Sequence, residues 1–140
     1  MVMFGFVKDT RDMIADLNRV SPFLRVWGPA LNIPHVVGGL IFIGRIEAAL
    51  VLVTCVFSVV VAAQIHKRRP FSRLTSLVHL VWLPLFPMLV DVLMTEGAVG
   101  AFGIWLAYVV VTMAISLVLD AWNIVLILFT RNNAFEGADA

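Results

Sequence analysis

Residues 98–129 read AVGAFGIWLAYVVVTMAISLVLDAWNIVLILF, and the whole run carries one charge, Asp120. An apolar stretch of eighteen or more residues is the signature of a transmembrane helix. At ~1.5 Å per residue this one is longer than the ~30 Å hydrocarbon core of a bilayer. Ala98 to about Leu119 is therefore read as a span, with Asp120 to Phe129 continuing helically beyond it.

Two further spans precede it. Thr95-Glu96-Gly97 forms a tight turn, and Leu74 to Met94 is the second span. His66 to Arg73, with Lys67, Arg68, Arg69 and Pro70, is a basic loop. The first span is expected over 36–65 as one long apolar helix, interrupted only by Arg45 and Glu47 and again overlong for one crossing. Residues 8–27 place Met13, Ile14, Leu17 and Val20 at helical spacing with Arg11, Asp12, Asp16 and Arg19 opposite. Asp9 or Thr10 is positioned to cap that helix, and Ser21-Pro22 to restart it. This segment lies in the membrane interface with Trp27 at headgroup depth, or else packs on the protein's own helices. Trp27-Gly28-Pro29 reads as a break. The expected fold is all-α: an amphipathic N-terminal segment over 1–35, a three-helix transmembrane domain over 36–130 (36–65, 74–94 and 98–130), and a polar tail over 131–140.

Composition agrees. Of 140 residues, 61% are hydrophobic and 14% charged, with a mean hydropathy of +1.00, against about a quarter charged in soluble domains. A net charge of +1 without a clustered basic surface gives no nucleic-acid signature. The single cysteine, Cys55, has no partner for an intrachain disulfide and reads as a small buried hydrophobe. Met1 to Val7 is too short for a cleavable signal, and charges follow it rather than precede it.

Polar residues fall on defined faces. On the third span Tyr108, Thr112, Ser116, Asp120 and Asn123 share an arc of about 120° at ~100° per residue. Gly100, Gly103, Ala107, Ala114 and Ala121 occupy the opposite side, where small residues let a neighbouring helix approach closely. On the first span Glu47, Thr54 and Ser58 share a face, and two-residue spacing turns Arg45 away from Glu47. On the second span Ser76, His79, Pro87 and Asp91 lie together, with Pro84 nearby. Pro84 and Pro87 free the carbonyls of Leu80 and Leu83 and predict a kink. By depth, Arg45, Glu47 and Asp91 form an outer group and His79, Asp120 and Asn123 an inner one. The expected pairs are Arg45 with Asp91 or with Glu47 of a neighbouring helix, and His79 with Asp120.

Catalysis finds no support. Ser76 and His79 at three-residue spacing lack every accompanying motif of a hydrolase. No glycine-rich phosphate loop, HExxH or CxxC occurs, so neither cofactor nor metal is expected. His66 and His79 near one surface and His35 at the far end do not make a haem pair. Trp82, Trp105 and Trp122 read as packing or interface residues. Two functions remain. The first is a non-catalytic integral membrane protein working by helix–helix association, as a homo-oligomer or as a subunit with a membrane-protein partner in the lipid bilayer. The second is a homo-oligomeric channel or transporter for protons or small ions, because ionisable residues inside spans often mark such paths. Three spans put the termini on opposite sides. The dense basic loop places the C-terminus in the cytoplasm and the N-terminus outside, in a bacterial inner membrane, although Lys and Arg divide five against five.

Overall fold

A computed structural model describes residues 2–131 and 133–134. Five helices appear, α1 (Val2–Val20), α2 (Pro22–Ile41), α3 (Ile46–Arg68), α4 (Trp82–Glu96) and α5 (Gly100–Thr130), with a 3-10 stretch over Arg73–Val81 leading into α4. The spans Ile46–Arg68, Arg73–Glu96 and Gly100–Thr130 are long and apolar enough to cross a membrane. Many of their large apolar side chains face outward, among them Val53, Leu83, Ile104, Val111 and Val118, as a lipid-facing surface requires.

The N-terminal third differs from the expectation at three points. First, α1 begins at Val2, so Asp9 and Thr10 lie inside a helix and cap nothing. Second, Trp27-Gly28-Pro29 does not break the chain, and α2 runs through both Pro29 and Pro34. Pro34 offers no N–H to the Ala30 carbonyl, and the Tyr108 hydroxyl donates to that oxygen instead, at 2.5 Å. Trp105 Nε1 donates to the Pro34 carbonyl itself at 2.9 Å. A proline inside a membrane helix is tolerated where neighbours re-satisfy the freed backbone in this way. Ser21 caps α2 as expected, its Oγ accepting from the Leu24 N–H at 3.2 Å, with Pro22 in the first turn.

Third, the long helix expected over 36–65 is two helices. It breaks at 42–45, where the chain reverses. The Phe42 N–H closes α2 on the Gly38 carbonyl, and Arg45 opens α3 from an extended conformation. Antiparallel register follows from Cys55 Sγ, 3.4 Å from Asn32 Oδ1, and from Gly39, where a Cβ would stand 2.8 Å from Leu52 Cβ. A Cβ on Gly38 would fall inside the Trp105 indole. Two adjacent glycines thus let α2 lie against α3 on one side and α5 on the other. So α2 runs beside α3 along its length, a fourth rod in the bundle.

The second span also has a local reason for its shape. Its first nine residues are 3-10, a long run for that geometry. The backbone becomes α-helical at Trp82, which puts Pro84 in a first turn, where a missing N–H costs nothing. Only Pro87 lies inside α4. The turn into α5 depends on Gly97 and Gly100, at φ 76° and 68°, values that side chains resist.

The core is Val51, Trp82, Leu85, Leu89, Leu106, Val109, Met113 and Leu31, with Trp27 packed against it. Lipid tails are as apolar as these side chains, so close packing and hydrogen bonds hold such a bundle together. α1 docks on the C-terminal end of α3. Asp9 accepts from Gln64 and Lys67, both at 3.0 Å, and Asp16 meets His66 Nε2 at 3.2 Å. Near that end Asn133 accepts from the Arg73 N–H at 2.8 Å. The expected polar tail falls largely on residues 132 and 135–140, outside the described residues.

Candidate functional site

The polar groups collect at two levels. At the α3 start, Arg45 binds Glu96 Oε1 at 2.6 Å and Glu47 Oε2 at 3.2 Å and lies over the Phe102 ring at 4.2 Å. Arg45 and Glu47 therefore do pair, against expectation. Arg45 precedes the helix in an extended conformation, so helical spacing does not govern where it points. Glu47 sits in the first turn of α3, where the helix dipole favours a carboxylate. Glu96, followed by Glu47, holds the Arg45 pKa above its ordinary value. Sequence reasoning missed Glu96. Its place at the end of the second span, level with the start of the first, was the available signal.

Asp91 joins neither level. It is exposed on α4, about 200° around the helix from the buried Leu89. No hydrogen bond or ion pair reaches it among the described residues.

The inner level matches the expectation. His79 Nδ1 and Asp120 Oδ2 are 2.7 Å apart. One turn toward the basic loop, Arg73 donates to Asn123 Oδ1 at 2.6 Å and Asn123 Nδ2 to Ser76 Oγ at 3.0 Å. Arg73 was not among the residues singled out from sequence. Ser58 donates to the Val78 carbonyl at 3.2 Å, a carbonyl inside the 3-10 stretch. The hydroxyls do not link the levels. Thr54 and Thr112 donate to carbonyls of their own helices, each at 2.8 Å, Tyr108 serves Ala30, and Ser116 is buried.

His35 is not at the far end. The reversal at 42–45 returns it to the middle of the bundle, fully buried. Two imidazoles stack on the Trp82 indole, His79 at 4.2 Å and His35 at 5.7 Å between ring centroids. Both His35 nitrogens and Trp82 Nε1 are buried without a hydrogen-bond partner. Among the described residues no three His, Cys, Asp or Glu side chains are grouped as a metal ion requires.

The levels are well separated. Glu47 to Ser58 along α3 is about 16 Å at 1.5 Å per residue. Val51, Cys55, Leu89, Leu106, Val109 and Met113, all fully or almost fully buried, fill the layer between.

Of the expected packing residues on α5, two serve the chain itself. A Cβ on Gly103 would stand 2.7 Å from the Gly97 carbonyl oxygen, and Gly100 shapes the turn. Ala107 and Ala114 are partly open and Ala121 is exposed, so the described residues cover this part of the stripe only in part.

The fold also sorts charge. α1, the basic loop, Arg131 and the start of α2 share one end, so Arg45 alone of the ten Lys and Arg stands at the other. Compared with protein-family models, with curated proteins and with solved structures, the chain matches none.

Proposed function

We propose that this chain is a non-catalytic integral membrane subunit that works by binding a second membrane protein through the outward faces of α4 and α5. The observation that carries this reading is Asp91. The other span carboxylates, Glu47, Glu96 and Asp120, find partners within the chain, whereas among the described residues this one faces outward alone. An unpaired charge in hydrocarbon is costly enough that such residues normally turn toward a partner. Nothing in a second copy suits it well, because Arg45, the one cation at that end, already holds two carboxylates. A larger complex therefore fits better than a homo-oligomer. The half-open Ala107 and Ala114 and the exposed Ala121 offer a close-approach surface along α5.

The test is native mass spectrometry from native-lipid discs. Wild-type chain is expected in a heavier assembly, and Asp91→Asn or Ala114→Phe in a lighter one with helicity unchanged. A wild-type monomer in every preparation ends the reading.

Ion transport is the second reading, favoured by the bare nitrogens of His35 beside the His79–Asp120 pair. It is weaker. The hydroxyl face of α5 turns into its own bundle rather than toward an axis shared by copies, and an apolar layer divides the two polar levels. Proteoliposomes that show no leak under a pH gradient would remove it.

The topology is revised with the fold. We take α2 as a fourth crossing, which puts α1 and the C-terminus on the same side. Nine cations against one then replace the tie, and the positive-inside bias places both termini in the cytoplasm of a bacterial plasma membrane. Reporter fusions at the two termini should both read cytoplasmic, and Gly44→Cys should label from outside.

A further inference from the structure

A groove of about 640 Å³ runs between α1 and the α2–α3 hairpin, walled by Phe6, Ile14, Ile33, Val36, Val59 and Val60. Its wall is almost wholly carbon. Asn32, the one amide beside it, turns its polar atoms elsewhere, Nδ2 donating to the Gly28 carbonyl at 2.9 Å and Oδ1 facing Cys55. The β-branched valines and isoleucine hold few rotamers, so the walls are stiff. A helix does not fit the space. A rod ~10 Å across would fill that volume in about a turn and a half, far short of a membrane helix. A single flexible hydrocarbon chain does fit, and the surrounding bilayer supplies it.

One rim carries charge. Arg11 lines the groove from α1. Arg25 lies on the same stripe of α2 as Asn32 and Val36, two turns nearer the basic end (seven and eleven residues, within ~20° of arc). Both side chains are exposed, and neither makes an ion pair or hydrogen bond among the described residues, although Lys8, Arg19 and Lys67 all pair with carboxylates. Guanidinium matches phosphate in a two-pronged geometry.

We propose that this groove is a specific site for one anionic phospholipid, its acyl chain between α1 and the hairpin and its headgroup phosphate on Arg11 and Arg25. The site lies at the basic end, where an anionic leaflet would meet it. The bound lipid would then be part of what holds α1 against α2 and α3. This is independent of the subunit reading, since neither α4 nor α5 contributes to it.

The experiment is native mass spectrometry of the full chain with equal amounts of phosphatidylglycerol and phosphatidylcholine. Wild type is expected to retain one phosphatidylglycerol, at least fivefold over phosphatidylcholine. Val59→Trp, which fills the groove, should lower that occupancy tenfold. Val36→Phe provides a second plug should the first variant lose helicity. Val118→Trp, on the lipid-facing side of α5, should change nothing. Arg11→Gln with Arg25→Gln should keep a bound lipid but bring the two headgroups to parity. Wild type without a retained lipid, or both plugs retaining it as wild type does, overturns the site. A double glutamine variant that keeps its preference overturns the headgroup assignment.

Discussion

The two polar levels use the same chemistry at different depths. At the outer level Arg45 and Glu96 are 40% and 47% exposed, and Glu47 11%. At the inner level His79 and Asp120 are 20% and 13% exposed, with an indole against the imidazole face. The outer cluster can trade its partners for water. The inner pair has hydrocarbon and packed side chains around it, so losing one member leaves the other stranded. The comparison teaches that burial, more than charge, decides what an ion pair is worth. The 2.6 Å contact of Arg45 is the shorter one, yet it should matter less.

The floor of the inner level gives the sharpest test. Trp82 is fully buried and stacks on both His35 and His79. Trp82→Ala should cost about 3–5 kcal/mol, read as a fall in the unfolding midpoint in mixed micelles. Trp82→Phe should recover much of that, because Nε1 has no partner to lose. Equal loss in both would mean that the indole nitrogen has a partner after all.

Next comes the pair itself. A double-mutant cycle on His79→Ala and Asp120→Ala should give a coupling of ~1–2 kcal/mol, the upper range for polar pairs inside membrane proteins. A coupling near zero would place the pair in the headgroup layer, with water on both sides. The same cycle on Arg45→Ala and Glu96→Ala should give ~0.2–1 kcal/mol and fall further with added salt. If the outer coupling exceeds the inner one, the ordering by burial fails.

Much of this contrast was legible in the sequence, and the reason is periodicity. Asp120 and Asn123 fall on the polar face of an unbroken helix, and His79 lies at a matching depth, so the pair follows from spacing alone. What was not legible came from contacts distant in sequence. Trp27-Gly28-Pro29 reads as a break from local sequence, and what keeps α2 continuous through Pro34 is contact with Tyr108 and Trp105, more than seventy residues away. The true break at 42–45 has no proline. The clue was arithmetic, since a helix over 36–65 would run about 45 Å in a ~30 Å core. Missing that reversal misplaced His35 and turned Arg45 away from Glu47.

The smallest effect belongs to a third set of charges, at the basic end, where α1 is pinned to α3. Gln64 first, then Lys67, hold the Asp9 carboxyl below its ordinary value of 3.8. The folded form therefore binds this proton less readily than the unfolded form does. Stability from the contact is fully present above about pH 4 and is lost as pH falls through the lowered folded value. Hydrogen exchange in α1 should stay slow down to about pH 4 and quicken below it. Asp9→Asn should remove that acid step and leave exchange in α4 and α5 unchanged. If α1 instead loosens together with α5 in the wild type, the helix is held by the whole bundle rather than by its own contacts, and the pinning at Asp9 contributes little.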